Sequence, residues 1–216
     1  VHETPYVIGL TGNIATGKSV VGSMLARRGA EHIDADKLAH RVMDRGSPAW
    51  EKIVATFGLE MLKPNGAIDR RELGAIVFSD PGALARLEAI VHPDVIDTTR
   101  QLIAASEAPV VVIEAIKLIE SGMVRQLCDA LWVVTAPRAV QIRRLVEQRG
   151  LSEAEAILRI DAQPAQALKV TRADVVIDNG DTLENTERQV DQAWTALGAK
   201  AATDVAAIDA AAPTET

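Results

Sequence analysis

VIGLTGNIATGKSVVGS, Val7 to Ser23, is the stretch from which the rest of the chain can be read. Its apolar opening, Val7 to Leu10, reads as a buried strand. Gly12 to Ser19 then fits the spacing G-x-x-x-x-G-K-[ST]. Val20, Val21, Met24 and Leu25 follow on one side of a helix. Strand, glycine loop and helix, in that order, are the context this motif requires.

The chemistry needs these residue types at this spacing. A triphosphate brings several negative charges into one pocket, where successive backbone N–H groups can cradle its oxygens. The helix that starts near Lys18 adds the positive end of its dipole. Gly12 and Gly17 permit backbone conformations and close approaches that a Cβ would hinder. Lys18 reaches the outer phosphates, and the Ser19 hydroxyl is placed to ligate Mg²⁺. The candidate nucleotide-binding residues are therefore Gly12, Asn13, Ile14, Ala15, Thr16, Gly17, Lys18, Ser19 and Val20.

Ala30 to Ile33 reads as a short strand, and three further apolar runs sit at Pro109–Glu114, Ala130–Thr135 and Asp174–Asp178. They are continuous rather than alternating, as in strands of a parallel sheet covered on both faces. Helical patterns lie between them, so the expected class is α/β with a parallel sheet of five strands. Residues 48 to 105 read as almost wholly helical. Ser47-Pro48, Asp69 and Asp80-Pro81 are starts within this region, Gly58 is a stop, and His92-Pro93 is an interruption. Residues 139 to 168 are helical and rich in arginine, and the last helix spans about Leu183 to Leu197. The alanine-rich residues 199–216 read as a frayed or disordered tail.

Composition narrows the function. The chain has 216 residues, 48% of them apolar, enough for one sizeable core. Its net charge is −7 and aromatics are 3%. Both argue against a nucleic-acid binder, which needs basic surface and stacking platforms. Cys128 is the one cysteine, so no intrachain disulfide is expected. No apolar run reaches the length of a membrane span, and VHETPYV lacks the pattern of a signal segment, so the expected location is cytoplasmic.

Three further groups could act on a bound nucleotide. Asp34 and Asp36 end the second strand, where active sites of open α/β sheets gather. One of them can accept a proton from an attacking hydroxyl or hold Mg²⁺ through water; alternatively, Asp36 caps the helix that starts at Lys37. Glu114 ends the third strand as an acidic metal-side residue would, or is a cap or surface charge. Arg138, Arg143, Arg144, Arg149 and Arg159 are either a solvated face or a mobile lid that excludes water and stabilises transferring charge.

These segments resemble one family, the dephospho-CoA kinases. The resemblance lies in GLTGNIATGKS from Gly9, IDADKLAH from Ile33, GAIDRRELGAIVF from Gly66 and LEAIVHPDV from Leu87. QIRRLVEQRGLSEAEAILRIDAQ from Gln141 and ADVVIDNGD from Ala173 continue it. It covers nearly everything but the tail and implies a P-loop kinase fold in one unit, residues 1–198. The core would be about 5–47, 106–137 and 171–198, the helical CoA-binding insertion about 48–105 and the arginine-rich lid about 138–170. The implied reaction moves the ATP γ-phosphoryl to the ribose 3′-hydroxyl of dephospho-CoA, with Mg²⁺. Asp36 matches the family's base, and Lys18 and Ser19 its phosphate and Mg²⁺ residues. Arg144 and Arg149 match lid arginines, and Asn179 matches the adenine pocket. Asp34, Arg70 and His92 fall on the acceptor side, and Glu114 stays with the metal. The chain departs from the family's usual pattern at Asn13 and Ala15, where glycine is common, and at Ile116-Lys117-Leu118, where Pro-Leu-Leu is common. A monomer without nucleic-acid or membrane partners is expected. The alternatives are another P-loop small-molecule or nucleoside monophosphate kinase, and a nucleotide-dependent switch. The switch lacks a guanine-specifying N-K-x-D segment.

Overall fold

A computed structural model describes residues 4–211, with side chains as far as residue 198. The strands are β1 (Tyr6–Thr11), β2 (Glu31–Asp34), β3 (Val110–Glu114), β4 (Ala130–Thr135) and β5 (Val175–Asp178). They form one sheet in the order β2-β3-β1-β4-β5. β2 pairs in parallel with β3, setting Asp34 beside Glu114, and β4 pairs in parallel with β5. The helices are α1 (Lys18–Ala26), α2 (Ala35–Arg41), α3 (Pro48–Phe57), α4 (Arg70–Ser79) and α5 (Pro81–Ala105). α6 (Met123–Leu127), α7 (Arg138–Arg149), α8 (Glu153–Asp161), α9 (Gln166–Val170) and α10 (Leu183–Ala211) follow. Among the described residues no helix is long and apolar enough to cross a membrane.

By packing the chain divides into two units. One takes the N-terminal residues through Gly9 together with Glu31–Asp129. The other takes Leu10–Ala30 and the residues from Ala130 onward.

In the first unit the expected starts hold. Ser47 accepts from Trp50 N at 3.1 Å, Asp69 from Arg71 N at 3.0 Å, and Asp80 from Gly82 N at 2.8 Å. Gly58, with φ +92°, ends α3. Two expectations need correcting. His92-Pro93 does not interrupt the helix: α5 runs unbroken from Pro81 to Ala105 with Pro93 inside it. An interior proline costs about 3 kcal/mol, and here a buried stripe of Val91, Val95, Ile96 and Thr99 offsets it. The second helix begins at Ala35, not Lys37, and its cap is Asp34, which accepts from Lys37 N at 2.9 Å. α6 was not foreseen, being too short at 5 residues to show a period. Between Leu118 and α6 on one side and Gly9 on the other there is no room: a Cβ on Gly9 would lie 2.8 Å from Leu118 Cδ2 and 2.9 Å from Cys128 Sγ. Burial, helped by the Asp129 charge, raises the Cys128 thiol to about 12.

In the second unit α1 and α10 are joined by ion pairs of Arg28 with Asp191 and of Arg27 with Glu187. α7 and α8 bury Leu145, Ala156 and Ile160 against Ile14 and Ala15. α8 starts with a capping box between Ser152 and Glu155. The strand expected at Asp174–Asp178 is present as β5 at a sheet edge, but its apolar run is not covered on both faces. Val176 stays 43% exposed. The last helix continues beyond Leu197 to Ala211, because alanine is the strongest helix former. Residues 212–216 of the expected tail lie outside the described residues.

Candidate active site

The glycines of the loop are fixed by their surroundings. A Cβ on Gly12 would stand 2.4 Å from the Val134 carbonyl oxygen. Gly17 has φ +93°, and a Cβ there would stand 1.9 Å from Asn179 Nδ2. No side chain caps the start of α1, so this end keeps its positive dipole for a ligand. The Lys18 ammonium donates to the Gly12 and Asn13 carbonyls at 3.1 and 3.4 Å. At 8% exposure it is a buried cation held within the loop. Ser19 and Val20 are exposed at the helix start.

Two residues from far along the chain brace this loop. The Arg144 guanidinium donates to the carbonyls of Ala15, Thr16 and Asn179 at 3.1, 3.2 and 2.7 Å. Burial first, then the neighbouring Arg143 charge, lowers its pKa, yet an arginine remains a cation at neutral pH. Asn179 is buried and donates its Nδ2 to the Thr16 carbonyl at 2.8 Å, while its Oδ1 accepts from Thr186. The arginine-rich segment is also seated on the loop from its far end. Gln163 Oε1 accepts from Ile14 N at 2.7 Å, and the Pro164 carbonyl accepts from Asn13 Nδ2 at 2.9 Å. Asn13 thus ties the loop to the segment that follows α8.

Together these residues wall a cavity of about 420 Å³ lined by Gly17, Lys18, Ser19, Arg144, Arg149 and Asn179. Gln148, Asp181 and Leu183 also line it and were not foreseen; Gln148, in QIRRLVEQRG, and Asp181, in ADVVIDNGD, fall within segments that carry the resemblance, and Leu183 does not. Two basic side chains beside Lys18 suit a polyanion. Arg138 is engaged elsewhere, in a two-bond pair with Asp161.

Ala15 has φ +58°, a left-handed conformation that costs a non-glycine residue about 1 kcal/mol. Ala15→Gly is therefore expected to raise Tm by about 2–4 °C in a scanning calorimeter, with activity unchanged. An unchanged or lower Tm would mean that the loop is not strained there.

The first unit holds a second cavity, of about 260 Å³, lined by Asp36, His40, Glu88, His92, Lys117 and several apolar residues. The Asp36 carboxylate accepts from Ile116 N at 3.2 Å. With Asp34 as the cap and paired to Lys37 at 2.9 Å, Asp36 is the one of these two aspartates that lines this cavity. Burial raises the Asp34 pKa, but the hydrogen bonds and charge of Lys37 outweigh it, and the net shift is downward. Burial lowers the His92 pKa; Glu88 pulls it back up and Lys117 pulls it down, with a net fall. His92 is thus neutral at pH 7. Arg70 is not among the residues of this cavity. Its guanidinium donates to the His40 carbonyl at 3.0 Å and lines a separate hollow with Asp44, Lys63 and Asp69. Glu114 is buried and bonded to His32 Nε2 at 3.0 Å. No cluster of three or more His, Cys, Asp or Glu that could hold a metal occurs among the described residues.

Comparison with known proteins finds relatives along most of the chain. The sequence model of the family described as dephospho-CoA kinase matches residues 6–185. The dephospho-CoA kinase of Geobacter sulfurreducens is 46% identical over 191 residues, covering 87% of this chain and 96% of the relative. A solved structure from Thermus thermophilus superposes with a TM-score of 0.79 at 35% identity, covering 90% of this chain and 99% of that one. The dephospho-CoA kinase of Campylobacter jejuni superposes at 0.64 with 28% identity, covering 88% and 96%.

Proposed function

The chain belongs to the dephospho-CoA kinase family, and from that premise we propose that it transfers the γ-phosphoryl of ATP to the ribose 3′-hydroxyl of dephospho-CoA. This is the last step of coenzyme A synthesis. The observation that carries the reading is the family match over residues 6–185, a span that includes both the phosphate loop and Asp36.

ATP occupies the 420 Å³ cavity, with its phosphates on the loop N–H groups and Lys18. Arg149 faces the same cavity and neutralises charge. Arg144 and Asn179 act on the nucleotide by holding the loop in shape, since Arg144 donates to the Ala15, Thr16 and Asn179 carbonyls and Asn179 Nδ2 donates to the Thr16 carbonyl. The acceptor enters the cavity of the first unit, and Asp36 orients its 3′-hydroxyl and takes the proton. Neutral His92 offers that acceptor a hydrogen bond without a charge.

Mg²⁺ fits a site of this kind. With no protein-only cage among the described residues, Ser19 at the head of α1 and the nucleotide's own phosphates would hold it, leaving the rest of its shell to water. There it would neutralise phosphate charge. Glu114, engaged by His32, is the weaker candidate ligand. Asp34 serves as cap rather than as acceptor contact. The chain acts as a cytoplasmic monomer in this reading.

The test is ATP consumption with and without dephospho-CoA, with the product identified by mass. ADP and coenzyme A should form together, and only when the acceptor is present. Equal kcat/KM for AMP and dephospho-CoA would show that the acceptor has been misidentified.

A further inference from the structure

The cavity that holds Asp36 has a largely apolar wall, including Leu87, Val91, Val95 and Met123. Two carboxylates, Asp36 and Glu88, face into it, with a single lysine, Lys117; no arginine lines it among the described residues. Lys117 Nζ donates to Glu88 Oε1 at 2.5 Å, joining the segment after β3 to α5 across the cavity's edge. Exposed ion pairs contribute about 0–1 kcal/mol, so stability alone gives little reason for a lysine beside apolar side chains here. Lys117 is the one lysine or arginine that lines this cavity among the described residues, beside His40 and His92, and so the fixed positive charge there for an anion. In a chain of net charge −7 an anionic acceptor must find its countercharge locally.

We propose that Lys117 is a specificity residue for the acceptor: its ammonium holds the acceptor's diphosphate, and Glu88 occupies that ammonium until the acceptor arrives. This rests on the reading of the cavity as the acceptor site. An ammonium has three donors, so it can turn from carboxylate to phosphate oxygen without losing its place. Glu88 then has two effects on binding. It aims the lysine, and it competes with the ligand for it.

That competition gives a test in which two variants breaking the same ion pair move in opposite directions. Dephospho-CoA binding is measured by titration calorimetry, alongside steady-state transfer. Lys117→Met is expected to raise Kd and KM about tenfold, leaving kcat within about a factor of two. Lys117→Arg should restore most of the affinity. Glu88→Gln is expected to lower Kd about threefold, because the competitor loses its charge. Added salt should weaken binding by the unmodified chain more than by Lys117→Met. A pair that only holds α5 in place would make both substitutions shift Kd the same way, and that outcome, or no shift in either, overturns the proposal. Transfer to dephospho-CoA by the unmodified chain is scored separately, so failure of the assigned reaction and failure of the Lys117 role are distinguishable.

Discussion

Lys18→Ala should lower kcat/KM by about two to three orders of magnitude, with Tm nearly unchanged. The ammonium is fixed by the Gly12 and Asn13 carbonyls inside the loop, and in the proposed reaction it would be held in advance beside the phosphoryl group being transferred. No reorganisation is needed at the moment of reaction, which is what makes a fixed charge worth more than a mobile one. Lys18 holds the Gly12 and Asn13 carbonyls, but Arg144 and Asn179 brace the Ala15 and Thr16 carbonyls without it, so the fold should survive the substitution. Steady-state kinetics with a thermal melt checks both halves. A variant that keeps half of the wild-type kcat/KM would remove Lys18 from transition-state stabilisation. One that fails to fold would instead make it a structural cation.

Asp36→Asn is expected to lose about two to four orders of magnitude in kcat while folding normally and binding ATP. Asparagine keeps the size and the acceptor oxygen that faces Ile116 N, and loses charge and basicity. The structure makes this substitution cleaner than the sequence allowed, since the cap of α2 is Asp34 and not Asp36. Asp34→Ala is the matched control. It should cost about 1 kcal/mol, or about 2–4 °C in Tm, and leave kcat largely intact. Its stabilising effect also has a pH signature. A carboxylate whose pKa is depressed on folding contributes stability above its unfolded pKa, and loses it as pH falls through the folded value. The Tm difference between Asp34→Ala and wild type should therefore shrink in acid. Single-turnover transfer at saturating substrates decides the roles: wild-type kcat in Asp36→Asn would leave positioning as the whole account.

What could be read from sequence was local. The change from a continuous apolar run to a glycine loop to a helical period marked β1, the loop and α1. The caps at Ser47, Asp69 and Asp80 were legible because the oxygen that caps lies two or three residues from the N–H it receives. What could not be read depended on distance in the chain or on a choice between near equals. Arg144 reaches carbonyls 128 and 129 residues away, so nothing local distinguishes it from its neighbour Arg143. Asp34 and Asp36 both suit a cap, and only the turn of the backbone at Ala35 decides between them. Pro93 looks like a break until the buried stripe that carries α5 across it is known. The edge position of β5 is a matter of strand order, which its own four residues do not contain.

The position of Cys128 beneath Gly9 has a practical consequence. Nucleophilic reagents take the thiolate, and a thiol held at about 12 supplies about three orders of magnitude less of it near neutral pH than an ordinary exposed cysteine. Towards maleimides the native chain should behave almost as if it had no cysteine, although it has one. A second cysteine placed on the surface of α7 or α8 would then take a fluorophore alone. Movement of the arginine-bearing segment during turnover could be followed in the otherwise wild-type enzyme, without first replacing a residue that the packing around Gly9 requires.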